Sequence, residues 1–377
     1  MRYEYVEWDG REFPTQDRLD LFHSILDFVL AHGDEAMRAL DRADLNDAQR
    51  EWLDQLIKDG LLEKVAGRWK LTPRAIGAMQ RRALNEVFRD LRAGRRDGHV
   101  TVHPGGLGER TEGTRRYEFG DPISELDPTA TLRNALSRGG TARPIRVGPQ
   151  DFEVYNTEAQ SSVSLVILLD QSGSMARYGR YPHAKKCAMA LHALVRQQYP
   201  FDTVDIIGFS SAAAIIPEHK LPLTSPKPVT IFDPHVRIRV PIAQVEKAPQ
   251  HFTNLHMGLA MARQLLTRRG GENKQVFIIT DGEPTAHVQG EFIHLIYPPD
   301  QTSVVATLKE AARCAADGIR VATFALIEDY AYMDWVGFVD QLTKLTKGVA
   351  FYCASGDLSS CIMESFLSGR RVKSYIA

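Results

Sequence analysis

The run Asp170-Gln171-Ser172-Gly173-Ser174 places three oxygen-bearing side chains at alternate positions, directly after the apolar run Val163 to Leu169. A strand ending in such a loop brings one carboxylate and two hydroxyls to one point. Two more oxygen groups occupy comparable places in the same half of the chain. Thr253 stands in His251-Phe252-Thr253-Asn254-Leu255, and Asp281 in Ile278-Ile279-Thr280-Asp281-Gly282-Glu283. Five hard oxygen donors without sulfur or imidazole suit Mg²⁺ or Mn²⁺ rather than zinc. The candidate metal ligands are therefore Asp170, Ser172, Ser174, Thr253 and Asp281, with Thr224 and Thr230 as weaker substitutes for Thr253.

These residues need a scaffold that gathers strand ends, and the pattern from about Ser161 onward supplies one. Val163 to Leu169 reads as a parallel strand buried on both faces. A helix over His183 to Gln198 follows, then a strand over Thr203 to Phe209 and a helix over Leu255 to Leu266. Gln275 to Thr280 and Ile319 to Ile327 are strand-like around a helix at Ser303 to Ala316, and Val349 to Cys353 precedes a last helix near Leu358 to Leu367. The alternation predicts an α/β fold with a doubly wound, mostly parallel sheet, whose ligand sites lie at the carboxyl ends of its strands.

The preceding chain has a different character. Leu19, Phe22, Ile25, Leu26, Val29 and Leu30 repeat at the spacing of one buried helix face over Leu19 to Ala31. A short helix near Glu35 to Leu40 comes next, then a third that Asn46 or Asp47 caps and Gly60 stops. Leu61 to Val65 and Arg68 to Leu71 flank the two-residue turn Ala66-Gly67, a hairpin signal, and Thr72-Pro73 opens another helix. Helix, helix, hairpin, helix is a winged-helix-like order, which raises DNA binding as a reading. Its charges oppose that reading. Asp47, Glu51, Asp54 and Asp59 outnumber Arg50 and Lys58 on the helix before the hairpin, which would repel phosphate.

Gly94 to about Gln150 clusters Gly, Pro, Thr and Arg and reads as a connector with one short helix at Pro128 to Arg138. The expected layout is a helical winged-helix-like domain at 1–93, a connector at 94–160, an α/β domain at 161–368 and a tail at 369–377.

Composition narrows the function classes. The 377 residues are 44% hydrophobic and 25% charged, with 46 Lys+Arg against 47 Asp+Glu and a net charge of -1, which opposes a general polyanion binder. The four cysteines, Cys187, Cys314, Cys353 and Cys361, show no CxxC spacing and predict reduced, mostly buried thiols. The N-terminus lacks the apolar core of a signal peptide, and no stretch reaches the ~20 apolar residues of a membrane span, so a cytoplasmic location is expected.

The DxSxS run, the distal Thr253 and the Asp281-Gly282 pair after an apolar strand resemble the metal-ion-dependent adhesion site of von Willebrand factor A (vWA) domains. The resemblance covers about Ser161 to Leu367. It implies that Ser172 and Ser174 bind Mg²⁺ or Mn²⁺ directly, while Asp170, Thr253 and Asp281 bind it directly or through water. Many relatives have Gly before the Thr where this chain has Phe252. The Gly-Glu-Pro-Thr-Ala-His that follows Asp281, the Tyr297 to Pro299 insertion, the helical N-terminal region and the basic connector resemble bacterial vWA proteins that work beside AAA+ ATPases of MoxR or magnesium-chelatase type. That resemblance implies a non-enzymatic adaptor whose metal takes an acidic residue from a client protein.

The chain holds no GxxxxGK[ST] phosphate loop, so an ATPase would have to act in trans. Two alternatives stand beside the adaptor. One is a Mg²⁺-dependent hydrolase with Glu283 or His287 as general base, although HExxH, GxSxG and a second carboxylate cluster are missing. The other is a DNA-associated regulator acting through the N-terminal region.

Overall fold

The computed structural model describes residues 27–42, 47–91, 109–118, 126–140, 144–158, 162–199, 201–269, 273–327 and 333–369. The part of the expected first helix before residue 27, Asn46 and the tail beyond 369 lie outside these residues. The described chain divides into two compact units, one built from segments before residue 95 together with 163–370, the other from residues between 95 and 162.

The first unit is organised by a six-stranded sheet. Its strands are β5 (Val163–Asp170), β6 (Thr203–Phe209), β7 (Ala213–Ile215), β9 (Asn273–Thr280), β12 (Ile319–Leu326) and β13 (Val349–Cys353), ordered β13-β12-β9-β5-β6-β7. All pairs are parallel except the edge pair β6–β7. β5 lies near the centre and is buried along its whole length. Because side chains alternate across a strand, Leu165, Ile167 and Leu169 enter the core on one face while Val166 and Leu168 enter the core on the other. Helices α5 (Arg180–Gln198) and α9 (Leu358–Gly369) cover the first face; α6 (Leu255–Arg269), α7 (Gln301–Ala316) and α8 (Met333–Thr346) cover the second. This is the doubly wound α/β architecture that the alternating pattern predicts.

The N-terminal segments add to the first face. Residues 27–32 are helical, and α1 (Asp34–Arg42), α2 (Asp47–Lys58), the hairpin β1 (Leu62–Val65) and β2 (Arg68–Leu71), and α3 (Pro73–Leu91) follow in the expected order. The Thr72 hydroxyl accepts from the Ala75 N–H at 3.2 Å and caps α3. Val29, Leu30, Met37, Leu53, Leu56 and Met79 join the core that contains Leu165, Ile167 and Leu191. Helix α3 thus buries its apolar stripe against α5 and α9, while α1 and α2 pack on the hairpin strands β2 and β1. Gln80 on α3 also donates to Glu218 at 2.7 Å.

A second, smaller sheet lies beside the α/β core. β8 (Val236–Pro241), β10 (Ala286–Gln289) and β11 (Phe292–Tyr297) pair antiparallel in the order β10-β11-β8, burying Val236, Phe252, Ala286, Ile293 and Leu295. The residues that follow Asp281 lead straight into it.

The second unit is folded where a connector is expected. β3 (Glu109–Arg116) and β4 (Glu153–Glu158) pair antiparallel, with a register shift between Arg110 and Thr114. Helix α4 (Pro128–Gly139) lies on the predicted segment, capped by Asp127, whose carboxylate accepts from the Thr129 and Ala130 N–H groups at 2.8 and 3.1 Å. Arg138 pairs with Asp151 at 2.6 Å, and this contact with the Gly148 N–H holds the Asp151 carboxyl down at about 2. The strand Glu-Arg-Thr-Glu-Gly-Thr-Arg-Arg carries no apolar alternation, so composition alone reads as linker.

Candidate metal centre

Asp170 is the last residue of β5 and Thr280 the last of β9, two neighbouring strands of the sheet, so both reach the same carboxyl edge. Asp170 is fully buried. One of its oxygens accepts from the Ser172 N–H at 2.7 Å and the other from the Thr280 hydroxyl at 2.5 Å. The first contact turns the chain sharply after the strand, which brings the Ser172 hydroxyl within 3.1 Å of the Ser174 hydroxyl. Ser174 in turn donates to Asp281 Oδ1 at 2.7 Å. Asp170, Ser172, Ser174 and Asp281, spread over more than a hundred residues of sequence, therefore form one continuous hydrogen-bonded run. Ser174 is its solvent-exposed member, while the side chains of Asp170 and Asp281 are closed off.

The charges explain why such a site favours a cation. Burial, with the Asp281 carboxylate nearby, pushes the Asp170 carboxyl up to about 7. Two carboxylates removed from water are costly until positive charge joins them. Arg180, at the start of α5, supplies one such charge, its Nη1 lying 2.7 Å from Asp281 Oδ2. Among the described residues no three His, Cys, Asp or Glu side chains group as metal ligands. A cation bound here would rest on Asp170, Asp281 and the hydroxyls of Ser172 and Ser174, a hard all-oxygen set that suits a divalent ion such as Mg²⁺ or Mn²⁺.

Thr253 stands differently. It lies two residues before α6, and its described hydrogen bonds are made by its backbone: its N–H donates to the Thr285 hydroxyl at 2.8 Å, and its carbonyl accepts from the Thr285 and Ala286 N–H groups. Its loop does touch the motif, because the Gly173 N–H donates to the His251 carbonyl at 3.0 Å. Phe252 turns into the core of the smaller sheet and His251 stacks on it. The aromatic residue thus anchors the loop from behind. Of the alternative hydroxyls, Thr224 is engaged with Tyr181 and the Leu221 carbonyl, and Thr230 lies beside His251.

Other polar side chains of the α/β core and the smaller sheet, the candidate base His287 among them, have structural partners. The His287 ring is buried on β10, bonded to the Ser303 hydroxyl at 3.0 Å and stacked on His294. His256 accepts from the Val288 N–H at 3.0 Å. Asp202 accepts from the Val163 N–H, and Asp205 pairs with Arg269. Two site residues escape the motif reading altogether. Thr280 has a signal, a hydroxyl at the end of an otherwise apolar strand. Arg180 has none beyond being a cation just before the predicted start of its helix.

Below the motif, Gln171 fixes the loop to the sheet. Its N–H donates to the Phe209 carbonyl at 2.7 Å, its carbonyl accepts from the Lys227 N–H at 2.8 Å, and its amide donates to the Tyr181 hydroxyl at 2.9 Å. That amide crosses over Gly208, where an added Cβ would stand 2.5 Å from Gln171 Oε1. Glycine within a buried strand marks this close approach.

Comparison with known proteins agrees with the architecture. Residues 163–367 match the family profile described as "Rv0959-like protein, vWA domain", and residues 109–157 match "Rv0959-like protein, third domain". The chain is 30% identical over 347 residues to the uncharacterized proteins Rv0959 of Mycobacterium tuberculosis and Mb0984 of Mycobacterium bovis, which covers 90% of this chain and 47% of each relative. It therefore spans about half the length of the curated relatives it matches. Similar solved structures include the vWF domain of the type V pili tip protein Mfa5 from Porphyromonas gingivalis, with 12% identity, a TM-score of 0.37, and 57% of this chain and 98% of that one covered. Another is the manganese-loaded Plasmodium vivax TRAP protein, with 14% identity, a TM-score of 0.32, and coverage of 54% and 72%. Among the described residues no helix is long and apolar enough to cross a membrane. The family profile spans the sheet, the motif loop and both helical layers of the α/β core, and the chain belongs to the Rv0959-like proteins, whose vWA domain is of a type that generally mediates protein–protein interaction.

Proposed function

We propose that this chain is a non-enzymatic, Mg²⁺-dependent interaction module that acts as a cytoplasmic adaptor for an AAA+ ATPase of MoxR or magnesium-chelatase type. The observation that supports metal-dependent binding is the hydrogen-bonded run Asp170–Ser172–Ser174–Asp281 at the carboxyl edge of the sheet, closed at its carboxylates and open at Ser174, while the AAA+ partner rests on the resemblance of the Gly282 to His287 run and the N-terminal layout. When bound, the cation supplies a concentrated positive charge that an acidic side chain of a client can engage. The chain's own residues do the rest. Asp170 sets the loop through the Ser172 N–H, Thr280 orients the Asp170 carboxylate, and the two serine hydroxyls present their lone pairs together. Mn²⁺ fits the same donors. His287, one of the two candidate bases of a hydrolase, is committed to Ser303 and His294, which favours binding over turnover at that residue.

The test is affinity capture of the full chain from its native lysate in Mg²⁺ and in EDTA. A AAA+ ATPase and an acidic client retained in Mg²⁺ and released by EDTA are expected. Retention of the same partners in both buffers would refute metal-bridged binding, and Mg²⁺-dependent turnover of phosphate esters by the pure chain would refute the non-enzymatic reading.

A further inference from the structure

Both oxygens of Asp281 are occupied: Oδ1 accepts from Ser174 and Oδ2 from Arg180 Nη1, each at 2.7 Å. The Arg180 side chain is only 10% exposed, yet its grip is single and end-on, and its Nε lies buried with no hydrogen-bond partner. Arginine holds a carboxylate most strongly through two parallel N–H···O bonds, so this pair is an incomplete form of the contact. The guanidinium already rests on a second partner. Its Cζ lies 5.0 Å from the ring of Tyr178, a side chain exposed at the rim of the motif loop.

We propose that Arg180 is a built-in competitor for the divalent cation, holding Asp281 in the metal-free domain and yielding that carboxylate, while keeping its contact with the Tyr178 ring, when the cation binds. This rests on the metal-site reading above and adds its regulation. A fixed unit charge beside a divalent ion in a buried site opposes it, so metal affinity is set below what the oxygen donors alone would give. The same charge offsets the paired carboxylates when no metal is present, which keeps the empty domain folded. Tightness is exchanged for reversibility, and any partner that draws the guanidinium outward would raise metal affinity by linkage.

The experiment is calorimetric titration of the full chain, stripped of metal, with MgCl₂ and MnCl₂, comparing wild type with Arg180→Gln and Arg180→Lys. Arg180→Gln is expected to bind Mg²⁺ on the order of tenfold more tightly, with a lower melting temperature in EDTA; Arg180→Lys, which keeps the charge, stays near wild type. A parallel titration of the wild-type protein follows the Arg180 Nε–H resonance, which is expected to move as Mg²⁺ saturates the site. Weaker or unchanged binding by Arg180→Gln, or an unmoved resonance at saturation, would overturn the competitor role while leaving the metal site standing. Failure of every chain to bind either metal would overturn the metal site and the competitor with it. If Arg180→Gln does not fold without metal, the wild-type resonance decides the matter.

Discussion

The Tyr181 hydroxyl donates to Thr224 Oγ1 at 2.7 Å while accepting from the Gln171 amide at 2.9 Å, so one buried phenol ties the motif loop to the segment that crosses beside it. Burial pushes this hydroxyl up to about 12, which keeps it protonated and able to donate. Tyr181→Phe removes that donor and strands the Gln171 amide in the interior. A loss of about 1–2 kcal/mol of stability is expected, since a buried polar group left without a partner carries most of its desolvation cost. Urea denaturation of the two chains checks this, and equal midpoints would show that the hydroxyl is dispensable to the loop.

The same segment is buttressed from the N-terminal side. Gly33, at φ +58 between the 27–32 helical turn and α1, lies where an added Cβ would stand 2.6 Å from the Leu223 carbonyl oxygen and 2.7 Å from that of Thr224. Gly60 has a similar φ of +66, but its nearest neighbour would be Arg74 Nη1 at 3.9 Å. Gly60→Ala therefore measures the left-handed backbone strain by itself, about 1–2 kcal/mol. Gly33→Ala adds the collision with two backbone carbonyls and is expected to cost at least about 1 kcal/mol more. Equal losses at the two glycines in the same urea assay would mean that the helical region does not bear on residues 223–224.

These contacts show what was legible in the residues and what was not. The strand β5 announces itself because both its faces are covered, and that leaves Asp170 at its end with nowhere to go but the carboxyl edge. Spacing alone likewise places Ser172 and Ser174 in the loop after it. The smaller sheet is not announced, because β8, β10 and β11 are four to six residues long and interleave with segments whose turns and prolines read as loop. Unit two hides for the opposite reason, since β3 is made of polar residues held by a backbone ladder. Arg180 becomes a site residue only through a contact 101 positions away in sequence. The N-terminal order of elements is readable locally, whereas its union with the α5 face depends on which apolar stripe finds which, a property of the assembled core.

Lys185 offers a test by pH. It is fully buried on α5, and its ammonium donates to the carbonyls of Pro222 and Thr224 at 2.9 and 2.8 Å. Burial brings it down to about 7 from its usual 10.5. The folded chain therefore releases this proton near pH 7 while the unfolded chain keeps it until about 10.5, and stability rises with pH between those values as far as this group is concerned. Relative to Lys185→Met, which cannot titrate, wild type is expected to gain up to about 1.4 kcal/mol per pH unit across that window. Urea midpoints at pH 7, 8 and 9 read the difference directly. Parallel curves would mean that the two carbonyls hold the amine charged despite its burial.

Asp170 runs the opposite way and separates the metal's contribution from the fold's. Its folded value, raised from 3.8 to about 7 by burial and by Asp281, means that the metal-free folded chain takes up a proton that the unfolded chain has given up. The stabilisation from that proton is complete below about pH 4 and is lost as pH rises through 7. Asp170→Asn copies the neutral form: its carbonyl still accepts from the Ser172 N–H, and its amide can donate to the Thr280 hydroxyl in place of the bond that Thr280 now gives. In EDTA the variant is expected to match wild type at pH 4 and to exceed it at pH 8. Adding Mg²⁺ at pH 8 reverses the ranking, because a ligand that binds only the folded state stabilises it in proportion to the logarithm of its saturation ratio, and the variant has lost a charged donor. Thermal melts in the two buffers at the two pH values measure all four corners. A Mg²⁺-induced rise in melting temperature as large in Asp170→Asn as in wild type would remove this carboxylate from the cation's ligands.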